Sequence, residues 1–112
     1  MKKIEAIIRP EKLEAVRSVL ETVGYAGLMI TEIEGHGKQK GITQQWRGKK
    51  YKVEFLPKVK IEIVAHDKDV DKIMESIAKS ASTGKIGDGK IFVYPVENAM
   101  RIRTGEKGES AI

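Results

Sequence analysis

Eight consecutive residues, Thr83-Gly84-Lys85-Ile86-Gly87-Asp88-Gly89-Lys90, hold the chain's densest capacity for chemistry. Three glycines let the backbone present its N–H groups, and two lysines set cations beside them. Bare amides donate to anionic oxygens while lysine adds point charge, so the pattern suits a phosphate. Gly84, Gly89 and Lys90 even imitate the spacing of a P-loop. Two features argue otherwise. Ile91 stands where a hydroxyl would hold Mg²⁺, and a helical pattern precedes the loop while a strand pattern follows it. What remains is an anion loop of another design, or a plain glycine-rich connection.

The elements around this loop are readable from periodicity. Ile4, Ala6 and Ile8 alternate with Glu5, Ile7 and Arg9 as in a strand. Pro10 ends it and suits a first helical turn, after which Leu13, Val16, Val19, Leu20 and Val23 form one helical stripe. Gly24 and Gly27 bracket a turn, and Leu28 to Glu34 predict a second strand. Val59, Ile61, Ile63 and Ala65 predict a third. Asp67 is placed to cap the following helix, whose stripe is Val70, Ile73, Met74, Ile77, Ala78 and Ala81. Ile91 to Val96 predict the fourth strand, Arg101-Ile102-Arg103 a short addition, and residues 104–112 a polar, mobile tail.

Gly35 to Phe55 fits no element: four glycines and six cations with almost no aliphatic residue before Val53. Structureless stretches of about 20 residues are uncommon in compact domains unless they have a job, the plainer alternative being a charged β-hairpin tip. The order strand–helix–strand, long loop, strand–helix–strand predicts an α+β, ferredoxin-like βαββαβ sandwich over residues 1–112 as a single domain. Its sheet has one face without helices. Ile7 and Val64, out of phase with their strands, predict that this face is buried too, by oligomerisation.

Composition narrows the function. The 112 residues carry a net charge of +5, which invites an anionic partner such as nucleic acid, phospholipid or nucleotide. No cysteine is present, so disulfides and thiolate metal sites are excluded. No apolar run is long enough to span a membrane, and Met1-Lys2-Lys3-Ile4 enters a strand pattern, so the reading is a cytoplasmic protein. His36 and His66 have no His or Cys neighbours at ligand spacing, and Asp67-x-Asp69-x-Asp71 lacks the glycine and glutamate of a calcium loop. There is no activated Ser or Cys and no convincing carboxylate pair, which argues against an enzyme. RNA binding is the alternative, with Trp46 and Tyr51 among the loop cations available for stacking. A phosphotransferase would need His36 or His66 beside the glycine loop.

Thr83 to Val93, Phe55-Leu56-Pro57-Lys58-Val59-Lys60-Ile61-Glu62 and Arg101-Ile102-Arg103-Thr104-Gly105-Glu106 together resemble the PII nitrogen-regulatory signal proteins. The similarity runs from Met1 to Ile112, and three separated motifs agree in sequence and spacing. The resemblance implies a homotrimer that binds ATP or ADP in clefts between subunits. It implies that Mg²⁺–ATP permits 2-oxoglutarate to bind. It also implies a T-loop, here about 36–55, that engages ammonium transporters or nitrogen-metabolism enzymes, with neither nucleic-acid binding nor membrane insertion. On the same footing Gly87, Asp88, Gly89 and Lys90, in a nucleotide loop at 82–90, would hold the phosphates, with Arg101 and Arg103 reaching in from the neighbouring subunit. Gly35, Gly37, Lys38 and Val64 would line the same cleft, and Met29 stands where many relatives place a hydroxyl residue against the adenine. Gln39 would bind nucleotide and complete the Mg²⁺ shell. Lys58 would pair with a 2-oxoglutarate carboxylate, alongside Gln39, Lys40, Gly41 and Gly87. Arg47 would lie at the T-loop tip, and Tyr51 is the position that relatives modify with a nucleotidyl group.

Overall fold

A computed structural model of the chain describes residues 1–25, 27–35, 42–46, 49–53 and 56–112. Strands β1 (Lys2–Ile8), β2 (Met29–Gly35), β5 (Leu56–Ala65) and β6 (Gly89–Pro95) form one sheet in the order β2-β5-β1-β6, antiparallel at each pairing. Helices α1 (Leu13–Thr22) and α2 (Val70–Ala81) cover one face. This is the expected ferredoxin-like arrangement.

Alternation decides which face is covered. Ile4, Ala6 and Ile8 of β1 stand opposite Ile63, Ile61 and Val59 of β5 and share a face, because directly paired residues of antiparallel strands point the same way. Those six side chains meet Val16 and Leu20 of α1 and Ile73, Ile77 and Ala81 of α2 in a buried core. Pro10 starts a 3₁₀ turn, Pro10–Lys12, that leads into α1. Gly24 ends α1 at φ +95°, a conformation that suits glycine, while its N–H donates to the Glu21 carbonyl and the Tyr25 N–H to that of Leu20.

The opposite face is mixed rather than plainly apolar. Ile7 and Val64 lie on this face, as their phase predicted, and are half-buried in the single chain. Lys3, Glu5, Lys60 and Glu62 lie there too, with Lys60 3.2 Å and Lys3 4.0 Å from Glu62. Register adds Met29 of β2 and Phe92 and Tyr94 of β6 to this face, all substantially exposed.

Five details differ from the sequence reading. Within the stretch read as a loop, β3 (Ile42–Trp46) and β4 (Lys49–Val53) pair antiparallel as a separate two-stranded sheet. The pairing matches the charged-hairpin alternative; a backbone ladder needs no apolar face, so the scarcity of aliphatic residues gave it no stronger signal. The third strand begins at Leu56, ahead of Val59 where its alternation starts, and so contains Pro57. The proline falls beyond the last β1–β5 pair, Ile8 opposite Val59, where one side of β5 has no β1 partner and a residue without an N–H is tolerated.

Asp67, expected to cap α2, makes no cap; a 3₁₀ turn, Asp67–Asp69, intervenes, and the carboxylate pairs with the Met1 amine at 2.9 Å. Arg101-Ile102-Arg103 adds no strand. The chain turns there, closed by a bridge between Met100 and Lys107 and by Gly105 N–H donating to the Arg101 carbonyl at 2.8 Å. Residues 104–112, read as a polar tail, include a 3₁₀ turn at Gly108–Ala111, and Gly108 N–H donates to the Ala99 carbonyl at 2.9 Å.

Ile61, fully buried on the central strand β5, tests where the stability lies. Ile61→Ala is expected to cost about 2–5 kcal/mol, read from urea unfolding, because the cavity left behind collapses only in part. A loss below about 1 kcal/mol would place the core elsewhere.

Candidate functional site

The loop between α2 and β6 is shaped by one carboxylate. Asp88 accepts hydrogen bonds from the Thr83 N–H at 2.8 Å, the Gly84 N–H at 2.9 Å and the Thr83 hydroxyl. From the other side Arg9 Nε donates to it at 3.1 Å, and Arg9 Nη2 donates to the Ile86 carbonyl at 2.9 Å. The Thr83 hydrogen bonds, with help from Arg9 and the Gly84 amide, hold the Asp88 carboxyl far below the usual carboxylate range. Its side chain therefore faces into the loop and organises it.

Gly89 closes the loop where β6 begins. At φ +106°, a Cβ built there would lie 1.7 Å from the Ile7 carbonyl oxygen, so no side chain fits between the loop and β1. Lys90 follows, opposite Ile7 and exposed on the helix-free face.

Lys58 comes from β5. It is nearly buried, at 9% exposure, and its ammonium donates to the Gly87 carbonyl. Burial first, and then the Arg9 charge, push its pKa down, while Glu11 and Asp88 oppose the shift. Among the described residues no carboxylate lies within salt-bridge distance of Lys58. A cation so placed gains from an incoming anion.

A second region lies at the other end of β5. A cavity of about 680 Å³ is lined by Met29, Val64, Tyr25, His66, Asp69 and Ile112, among others. Its walls are apolar with a polar edge, where the Tyr25 hydroxyl donates to Asp69. Arg101 belongs to the same end of the molecule. Its Nη1 lies 3.0 Å from Glu106, and its Nη2 donates to the Ser110 carbonyl at 3.3 Å.

The residues expected in one cleft thus fall into two groups within the chain. Gly35 at the end of β2, Lys58 and Gly87 to Lys90 gather at one end of the sheet. Met29 and Val64 lie at the other, with Arg101, Arg103 and the carboxy-terminal turn on the chain that follows β6. Lys58 and Val64 are six positions apart on one strand, about 20 Å at the usual rise. Sequence reasoning placed Val64 and Gly35 in one cleft between subunits; within a single chain they lie at opposite ends of the sheet. It missed Arg9, whose signal was available: an arginine ending an apolar strand beside a proline. His36, Gly37, Lys38, Gln39, Lys40, Gly41 and Arg47 lie outside the described residues, and Tyr51 is described only as a backbone position in β4.

Comparison with known proteins places this geometry in context. The family model described as Nitrogen regulatory protein P-II matches residues 1–106. The Pasteurella multocida protein named Nitrogen regulatory protein P-II is 60% identical over 112 residues, all of both chains. Nitrogen regulatory protein P-II 1 of Escherichia coli is 56% identical over the same span, again covering both chains fully. Nitrogen regulatory protein P-II 2 of Methanothermobacter thermautotrophicus is 56% identical over all of this chain and 97% of its own.

The Asp88 brace can be tested without any ligand. A carboxyl whose proton affinity is depressed by folding contributes stability above the ordinary aspartate range and loses it as pH falls through the folded value. Asp88→Asn is therefore expected to melt below the wild type at pH 7, with the gap narrowing below about pH 4. Equal melting temperatures at neutral pH would mean that the loop does not depend on this charge.

Proposed function

The chain belongs to the family of nitrogen regulatory proteins P-II, a regulatory signal protein, and from that premise we propose that it senses ATP or ADP together with 2-oxoglutarate. In this reading it acts by binding rather than catalysis. The observation that carries the reading is the braced glycine loop. Asp88 is engaged inside it, its backbone is preset, and Lys58 and Lys90 stand on either side. A polyphosphate would find amides and cations already in position, so little ordering opposes binding.

Mg²⁺ would be held mainly by phosphate oxygens, with Gln39 adding an amide oxygen. The ion prefers such ligands, and bound there it would offer coordination positions to a keto acid. A neutral amide leaves the site less negative than a carboxylate would, which suits an anionic third ligand. Lys58 is the counter-charge for a 2-oxoglutarate carboxylate, with Lys40, Gly41 and Gly87 nearby in the family pattern. Shared coordination couples the two small molecules without a long-range path. Gln39 precedes the β3–β4 hairpin in the chain, and a two-stranded sheet on its own is near the margin of stability. Ligation at Gln39 could then reshape this arm, which carries Arg47 and Tyr51, and so change affinity for an ammonium transporter or a nitrogen-metabolism enzyme. Tyr51 is the proposed position of any nucleotidyl modification.

The division of the site residues supports assembly. The glycine-loop end of one copy and the Met29–Val64–Arg101 end of another can meet head to tail, an arrangement that closes as a ring. We place Arg103 with Arg101 in that role. A trimer would also cover the exposed Phe92, Tyr94 and Met29. RNA binding is disfavoured by Glu5 and Glu62, acidic residues on the two central strands of the face that nucleic acid would use.

Calorimetry tests the ligand scheme. Heat from 2-oxoglutarate is expected only when Mg²⁺–ATP is present, and Lys90→Ala should weaken ATP at least about tenfold, the scale of one charge-assisted contact. Binding of 2-oxoglutarate to the nucleotide-free protein would overturn the coupling. Sedimentation should give a particle of three times the 12.5 kDa chain mass, and a stable monomer would remove the shared cleft.

A further inference from the structure

At the carboxy-terminal end of β5, one contact joins distant parts of the chain. His66 Nδ1 lies 2.5 Å from Glu109 Oε2. Glu109 sits in the 3₁₀ turn Gly108–Ala111, which is also tied by the Gly108 N–H to the Ala99 carbonyl and by Arg101 to the Ser110 carbonyl. Ile112, which follows the turn, and His66 both line the 680 Å³ cavity. The segment 108–112 thus reaches the cavity through Ile112, and His66, also in the lining, holds that segment by a side-chain bridge.

The bridge is open to solvent, with His66 37% and Glu109 60% exposed. Exposed pairs are weak, so this one can open while the core beneath stays packed. The other charged groups around Glu109 are the Met1 amine, 3.2 Å away, and Asp67, which shares that amine at 2.9 Å. Both compete for or reinforce the same hold. Met29, Val64 and Ile112 make the cavity fit a flat apolar ring, while Tyr25 with Asp69 at its edge suits a ring that also carries polar atoms.

We propose that residues 108–112 form a hinged wall of this cavity, clasped by Glu109 on His66, and that clasp and cavity occupant stabilise one another. Naming the occupant as the adenine base rests on the nucleotide reading; the clasp does not. A base packed against Ile112 favours the closed wall, and a closed wall favours the base by the same factor.

Amide hydrogen exchange on the full chain tests this, comparing wild type, Glu109→Ala, His66→Gln and the double variant, with the Ile61 amide as a control for folding. Without nucleotide, each single change should speed exchange at the Gly108 amide about two- to fivefold, and the double change no further. Unaltered exchange in the single variants, or effects that multiply in the double, would overturn the clasp. Adding Mg²⁺–ATP should slow Gly108 exchange in the wild type, and Glu109→Ala should weaken ATP about two- to fivefold. ATP that binds, by calorimetry, without slowing Gly108 would overturn the coupling. ATP that does not bind at all would overturn the occupant and the nucleotide reading, while the comparison of unliganded proteins still decides the clasp.

Discussion

Asp88 is the constraint on which the glycine loop depends. One carboxylate takes two backbone amides and a hydroxyl from residues 83 and 84 and the guanidinium of Arg9 from the end of β1. It therefore ties the end of α2, the start of β6 and the end of β1 to a single point. Without it, two like charges, Arg9 and Lys58, would face each other beside a glycine-rich chain with little else to order it. An acidic residue in a loop that reads as basic is thus what lets the loop keep its shape.

The sheet then sets distances that no loop could. β5 carries Lys58 at one end and Val64 at the other, and its extended backbone holds them apart. A rigid strand cannot fold back to unite its two ends. If both ends serve one ligand, the second half must come from another copy. The same rigidity leaves β2 and β6 as the outer strands, with Met29, Phe92 and Tyr94 exposed on the helix-free face. The ion pairs of Lys3, Lys60 and Glu62 keep that face partly polar, which favours a specific contact over general stickiness.

Much of this was legible in the residues alone. The alternation of Ile4, Ala6 and Ile8 and the stripe through Val70, Ile73, Met74, Ile77, Ala78 and Ala81 fix which side of each element is apolar; Ile73, Ile77 and Ala81 are buried and Val70 packs on the core, while Met74 is half-buried and Ala78 exposed at its margin. The glycine loop was legible because its residue types have few other uses. Asp67 was misread because a capping residue and an ion-pair partner share one chemistry, and the partner, Met1, is remote in sequence. The β3–β4 pairing was reached only as the plainer hairpin alternative, because strand ladders form through the backbone, to which composition is nearly blind. The hold of Glu109 on His66 had no local signal, since 43 residues separate them.

The order of the four sheet strands and two helices, their apolar faces, the anion-suited loop and the family resemblance were all determined by the sequence by itself. These depend on near neighbours along the chain, where period and residue type act directly. Only the tertiary structure decided that Asp88 faces inward, that Lys58 is pressed beneath Gly87, and that Val64 and Gly35 lie at opposite ends of the sheet. Each of these is a relation between segments brought together by packing, and strand register, not residue type, sets the distance between them.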